Sequence, residues 1–351
     1  MTKIAIITDQ HCGARNDSIQ FHDYFEKFYK ECFFPHIDKE GITHIIEMGD
    51  IFDRRKYINF YSLYRFKQYF FDEIKKRNIT LHCIIGNHDI YYKNTNKVNA
   101  PKLLLGEYDF NIYEETAEVE IDNNKFLFVP WINQENEKQS FDLISKTKAK
   151  IVFGHLEFSG FEMYRGSIND HGINHSSFDR FDFVCSGHYH HKSSKNNIHY
   201  FGSPYEMTWS DYDDARGFHI FDTTHNEFTY IRNPYTMFNK IIYDDSIENF
   251  QYDAIDYSYI KDTFVKVIIK NKDNPYLYDL FIDRLNDYNP AKIQVVEDNL
   301  NLQLEDESDI INEAEDTITI INNYVDNLNL KTTKPIKNIL SELYYNALSM
   351  E

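Results

Sequence analysis

Cysteine is scarce and scattered in this chain: Cys12, Cys32, Cys83 and Cys185 are the only four, and no two form a C-x-x-C pair. Neither a zinc knuckle nor a disulfide framework is indicated, and isolated thiols suit a reducing cytoplasm. Long apolar runs are also missing. No stretch reaches the roughly 18 residues of a spanning helix, and the first expected strand opens at Lys3 with no basic-then-apolar leader before it. The expectation is a cytoplasmic protein with no membrane association. No internal repeat is visible. Basic charge is short too: the net charge is −19, and residues 241 to 351 hold 22 acidic against 9 basic side chains. Such a tail cannot be a general phosphate-binding surface. A nucleic-acid substrate would need metal ions, a local basic patch or a partner to supply the attraction.

What is present is a folding sequence, with 28 Phe and 27 Tyr within a 42% hydrophobic composition over 351 residues, enough for one large core or two domains. Up to about residue 235, short apolar runs alternate with amphipathic ones, as in stacked β and α elements. Strands are expected at Lys3 to Thr8, His44 to Met48 and Thr80 to Ile85. Helical spacing runs from Ile19 to Phe33, where Pro35 should limit it, and again through Leu63, Phe66, Phe70 and Ile74. Val119 to Ile121 and Phe126 to Val129 flank Asp122-Asn123-Asn124 as a hairpin. Further strands are expected at Ile151 to Phe153, Phe183 to Cys185, Ile198 to Phe201 and Phe218 to Phe221. Two mixed sheets flanked by helices would accommodate them all. Beyond residue 240, Phe264 to Lys270, Tyr276 to Leu285 and Lys292 to Val296 read as β-α-β, with Asn274 as helix cap and Pro275 at the first helical position.

Polar residues gather where the apolar strands end: Asp9 and His11, Asp50, Asn87 and His88, His155, then His188 and His190. Open α/β sheets place ligands at strand carboxyl ends. Carboxylate, imidazole and amide oxygen without thiolate suit a harder divalent ion, and the count suits two. Two ions about 3.5 to 4 Å apart can clamp both oxygens of a phosphoryl transfer, and Asp50, between the other sets in sequence, is the natural bridge. Strand alternation would put Asp9 with His11, and His188 with His190, on one face, and would turn Cys12 and His191 away. Glycines before Asp50, Asn87, His155 and His188 permit close backbone approach.

The order D-x-H, G-D, G-N-H, G-H, G-H-x-H across residues 9 to 190 resembles the calcineurin-like metallophosphoesterase superfamily. Within it, Gly49-Asp50-Ile51-Phe52-Asp53, Gly86-Asn87-His88-Asp89 and Gly202-Ser203-Pro204 look like the SbcD and Mre-eleven nucleases of double-strand-break repair. Pro130-Trp131, Arg216-Gly217-Phe218 and Tyr92-Lys93-Asn94 bring it nearer to the recombination nuclease subunits of T-even bacteriophages. The resemblance implies an α/β (α+β) fold: a four-layer sandwich, a small β-α-β capping domain and C-terminal helices. In domains it implies a nuclease domain at 1–238, a DNA-binding cap at 239–300, an acidic linker at 301–316 and partner-binding helices at 317–351.

Carried over by residue, it puts Asp9, His11, Asp50 and His190 on one ion and Asp50, Asn87, His155 and His188 on the other. The ions would be manganese, or alternatively magnesium. Phosphodiester hydrolysis by metal-activated water is implied, with His88 acting on the developing charge or leaving oxygen and Asp89 either orienting His88 or capping the turn. The implied setting is DNA recombination, replication and repair, as the exonuclease and endonuclease subunit beside a coiled-coil SMC-like ATPase. A homodimer is implied, with Phe60 and Tyr64 candidates for its surface. Arg15, Arg54, Arg55, Lys56, Tyr92 and Lys93 follow the metal motifs and are candidates for DNA contact. His36, His44, His82, His199 and His219 read as packed or surface histidines, and His171 and His175 as loop residues. The rival readings are a phosphodiesterase or phosphatase for nucleotides or phosphoproteins, and a non-catalytic scaffold with a structural metal site.

Overall fold

Apolar residues fill both phases of the central strands, so those strands are buried on two faces. In β1 (Lys3–Ile7), Ile4 and Ile6 enter one core and Ala5 and Ile7 another. The computed structural model describes residues 2–164, 167–169, 172–247, 252–297 and Val325. The expected linker at 301–316, the helices at 317–351 apart from Val325, and His171 lie outside the described residues.

Following β1 come β2 (His44–Glu47), β3 (Thr80–Ile84), β4 (Asn111–Tyr113), β5 (Ala117–Ile121), β6 (Asn124–Val129) and β7 (Ile151–His155). A short ribbon, β8 (Glu162–Tyr164) with β9 (Ser167–Ile168), precedes β10 (Phe183–Gly187), β11 (Ser193–Lys195), β12 (Ile198–Tyr200), β13 (Gly217–Asp222) and β14 (Glu227–Arg232). They assemble into two six-stranded mixed sheets, ordered β14-β13-β1-β2-β3-β4 and β11-β12-β10-β7-β6-β5. Between the sheets lies a core of Ile4, Ile6, Ile46, Met48, Phe126, Phe128, Phe153 and Phe221. The other faces pack against helices: Ala5, Ile7 and Ile45 meet Phe25, Phe28, Phe66 and Phe70, and Leu127, Val152 and Val184 meet Ile144 and Phe178. This is the expected four-layer sandwich of two mixed sheets flanked by helices. The hairpin also forms as read, its turn carried by Asp122 (φ 48°) and Asn123 (φ 66°).

Pro35 does not end its helix. The α-helix Ile19–Phe28 passes through a π-turn, Tyr29–Phe33, and resumes as Phe34–Glu40. The wider turn hands the Phe34 amide to the Tyr29 carbonyl, and Pro35 falls in the first turn after it, where its missing N–H is tolerated.

After the body, β15 (Phe238–Asp244), β16 (Phe264–Asn271) and β17 (Lys292–Glu297) form a three-stranded parallel sheet. The helix Pro275–Asp287 crosses between the last two, its Asn274 side chain accepting from the Leu277 amide. Phe281 and Leu285 bury against Ile241, Val265 and Val267. The edge strand β15 carries no clear sequence signal, because its burial alternates imperfectly. It carries the join to the body: Phe238 packs on Trp209 and Phe21, and the Glu206 carboxylate accepts the Met237 and Phe238 amides at 2.6 and 2.9 Å.

Candidate metal centre

The carboxyl ends of β1, β2 and β3 in one sheet face those of β7 and β10 in the other, and the polar clusters meet there. Asp9, His11 and His190 bring ligand atoms within 4.8 Å of one another, and Asp50, His155 and His188 do the same. The Asp50 carboxylate joins the groups, with Oδ2 at 3.2 Å from His155 Nε2 and 3.9 Å from His11 Nε2. Asn87 Oδ1 belongs with the second group, 3.0 Å from His155 Nε2 and 2.9 Å from His188 Nδ1.

Backbone conformation, not strand alternation, aims these groups. Strand β1 ends at Ile7, and Asp9 (φ 53°) and His11 (φ 43°) lie beyond it in the left-handed region, as do Asp50 (φ 58°) and His188 (φ 87°). Non-glycine residues adopt that region at a cost and mostly where the surroundings impose it. The loops are cross-tied: the Asp9 amide donates to Gly49 O at 2.9 Å and the His11 amide to Asp50 O at 3.0 Å. His188 and His190 likewise leave β10 behind and go to different groups, so the shared face read from their spacing is not what places them. Close approach does require glycine at position 86, where a Cβ would lie 2.2 Å from Asp50 Oδ1 and 2.4 Å from its amide nitrogen.

The donor set fits a cation. His155 Nδ1–H donates to Met48 O at 2.8 Å, which leaves Nε2, facing the oxygens of Asp50 and Asn87, to take either a second proton or a metal ion. Burial opposes charge on this ring, yet Asp50 raises its pKa to about 9, which marks a place where positive charge is wanted. Burial also disfavours charge on Asp50, but His155, His88 and His11 hold it well below the usual carboxylate range. His11 Nε2 and His190 Nε2 stand 2.9 Å apart, close to the ~3 Å between neighbouring ligands at metal bond lengths near 2.1 Å. Burial, then His11 and Arg216, push His190 well down, toward the neutral form that ligates. Asp9, His11, Asp50 and His190 could hold one divalent ion, and Asp50, Asn87, His155 and His188 another.

His88 stands beside this set, its ring 4.9 Å from that of His11. Its Nδ1–H donates to Asp53 O at 2.6 Å and its amide to Asp50 Oδ1 at 2.7 Å. The alternative in which Asp89 orients His88 gives way to another role. Both Asp89 oxygens accept backbone amides, Ile51 and Phe52 on one, Asp50 and Gly86 on the other. Buried and beside Asp50, its carboxyl is raised to about 6, and its work is to shape the loop that carries Asp50.

The candidate DNA contacts divide. Arg54 is engaged with Asp17 and Asn16 and lies over Tyr57, and exposed Arg15 donates to Met207 O at 2.8 Å. Half-buried Arg55 has no hydrogen-bond or ion-pair partner among the described residues and feels the charge of Asp50. Lys56, Tyr92 and Lys93 are exposed. Three neighbours of the centre had no site role assigned from sequence, although Asp53 and Trp131 lie in motifs of the resemblance: Asp53, with Oδ1 at 3.5 Å from His11 Nδ1; Glu157, 3.9 Å from His188 Nε2; and Trp131, whose ring lies 5.2 Å from His188. Trp131 follows the end of β6, so the strand-end rule would have reached it. His191 turns away as expected, to Asp214 at 2.8 Å.

Sequence comparison matches this arrangement to the calcineurin-like phosphoesterase family over residues 2–192, a span that holds every one of these ligands. The chain belongs to that family and is a phosphoester hydrolase. It is 32% identical over 272 residues to Exonuclease subunit 1 of Enterobacteria phage T4, covering 77% of this chain and 78% of that one. The SbcD component of the SbcCD nuclease of Staphylococcus epidermidis is 25% identical over 262 residues, 64% of this chain and 67% of its own. A solved archaeal phosphodiesterase aligns with 66% of this chain and 99% of its own, at TM-score 0.34 and 15% identity. No described helix is long and apolar enough to cross a membrane.

Proposed function

We propose that the chain is a DNA nuclease subunit that hydrolyses phosphodiester bonds with two divalent ions, manganese foremost. The observation carrying this reading is the pair of three-residue ligand groups with the Asp50 carboxylate between them and His88 alongside. The names of the two relatives, an exonuclease subunit and a nuclease subunit, support DNA as the substrate and a second subunit as partner.

Bound at these groups, two ions would activate a water and clamp the attacking and leaving oxygens. The chain's residues do the rest. Asp53 O fixes the ring of His88 through Nδ1–H, so Nε2 is the nitrogen left to act: in the imidazolium form it gives its proton to the leaving sugar oxygen, returning the ring to neutral, or stabilises charge there. Asp89 keeps the Asp50 loop in shape. Arg55 offers a guanidinium to a phosphate beside the centre, and Trp131 a ring face to a base. The acidic surface elsewhere confines attraction for DNA to this neighbourhood.

Exposed Tyr57, Phe60, Tyr61 and Tyr64 (Phe60 at 85% exposure) suit a dimer surface. Residues 239–300 would cap bound DNA, 301–316 link, and 317–351 engage an SMC-like ATPase in the host bacterial cytoplasm, in recombination and repair. The test is cleavage of end-labelled linear duplex DNA with manganese or magnesium, with and without a co-purified ATPase subunit. Release of labelled products that a chelator abolishes is expected. Hydrolysis of bis-p-nitrophenyl phosphate with DNA left intact in every arm would overturn the nuclease reading in favour of a small-substrate phosphodiesterase.

A further inference from the structure

Two motifs of the sequence, Gly202-Ser203-Pro204 and Arg216-Gly217-Phe218, lie outside the ligand set and meet behind His190. Arg216 is 4% exposed. Its Nη1 donates to the His190 carbonyl oxygen and, at 2.8 Å, to Ser203 Oγ; Nη2 donates to Asp211 Oδ1 at 2.7 Å and Asp214 Oδ2 at 2.9 Å. The same carbonyl accepts the Ser203 amide at 3.1 Å, and a Cβ on Gly202 would lie 2.7 Å from it. Asp211 turns its second oxygen to the amides of Met207 and Thr208, closing the loop on itself. Asp214 also accepts His191 Nδ1–H, so the residue after His190 is tied to the same cluster.

The two histidine ligands of this loop are therefore held differently. His188 follows β10 directly and its amide bonds the Asp9 carboxylate. His190 lies three residues past the strand, and its Nε2 stands 2.9 Å from Nε2 of His11, a spacing that one shared proton or one shared cation can hold. A rigid guanidinium fork, buried and balanced by two carboxylates, can hold the backbone of such a residue where a strand ladder no longer does.

We propose that Arg216 is a positioning residue, fixing the His190 backbone so that its imidazole stays aimed at the ion it shares with Asp9 and His11. This rests on the reading of His190 as a ligand. The test titrates the full chain, stripped by a chelator, with manganese alone by isothermal titration calorimetry. Arg216→Lys keeps a positive charge between Asp211 and Asp214 but cannot reach both of them and the carbonyl together.

It should melt close to the wild type, bind two ions, and weaken one site by about 10-fold or more, as partners behind a ligand do. That site should be the one lost in His190→Asn, and the double variant should bind no more weakly than His190→Asn alone. Unchanged affinity in Arg216→Lys, equal loss at both sites, or additive losses in the double variant would overturn the proposal. Should Arg216→Lys fail to fold, Ser203→Ala, which removes one partner of Nη1 and leaves the ion pairs, should give a smaller loss at the same site; no loss overturns it too. Wild-type binding of two ions by His190→Asn would overturn the ligand reading itself, and the clamp with it.

Discussion

The phosphoesterase body and the β-α-β unit after it are built with the same local grammar, parallel strands joined by helices, and they put it to different use. In the body, strands β1, β2 and β10 run into residues with left-handed backbone at Asp9, His11, Asp50 and His188, and their side chains converge. In the unit, the left-handed non-glycine residues among those described are Asp262 and Asn289, at the turns leading into β16 and β17, and they tie those turns together by the Asp262 amide to Asn289 O at 3.0 Å, a plain reversal such as the body also makes at Asp122 and Asn123. Asp and Asn accept that conformation readily. Both candidate metal groups among the described residues lie in the body. Left-handed strand ends therefore serve chemistry where the surroundings over-determine them, and mere chain reversal where they do not.

The comparison can be broken most severely at Asp50. Asp50→Ala should remove the link between the ligand groups, take activity to background and weaken both manganese sites in a calorimetric titration, while circular dichroism of the fold stays native. Loss at one site only would mean that Asp50 does not join them. Next comes the division of labour within Gly86-Asn87-His88-Asp89. His88→Ala should lower kcat by about 10²- to 10⁴-fold with manganese binding intact, whereas Asn87→Ala should lower manganese affinity. The roles are exchanged if calorimetry finds the metal loss in the His88 variant.

In the unit, Phe281→Ala should cost about 3–5 kcal/mol of stability by emptying its core, yet leave hydrolysis of bis-p-nitrophenyl phosphate near wild type at low temperature. A parallel collapse of both would mean that the regions do not separate energetically.

The smallest effect is expected at their junction, on Glu206. Burial raises this carboxyl to about 7, so the proton it binds on folding stabilises the native state fully at pH 4.5 and below, and that contribution is lost as pH rises through 7. Both amides fall on one oxygen, which the carbonyl of Glu206→Gln can replace. The variant should match wild type in melting temperature near pH 5 and exceed it above pH 7. A constant difference across that range would show that Glu206 does not titrate there.

Much of this was legible in the order of residues. Apolar runs such as Ile4 to Ile7 and Ile151 to Phe153 announced strands because burial on both faces leaves no polar phase, and Asn274-Pro275 announced a helix because the cap and the missing N–H act within one turn. The fold class and the donor types at the strand ends followed from such local signals. The continuation of the first helix past Pro35 did not, since a π-turn is selected by the packing of Tyr29, Phe33 and Phe34 in the aromatic core.

The sequence by itself determined which residues could ligate, because a donor's chemistry belongs to the side chain and its position after an apolar run is a local pattern. Residue spacing does not say how they group; the family resemblance implied the division, and the tertiary structure supplies its physical cause. His188 and His190 are two residues apart and serve different groups, while Asp9 and His190, 181 positions apart, serve the same one. That pairing comes from two sheets presenting their carboxyl ends to each other and from left-handed turns that no spacing rule encodes. The same non-local packing gave Asp89 to the Asp50 loop, His88 to Asp53, and the His190 carbonyl to Arg216.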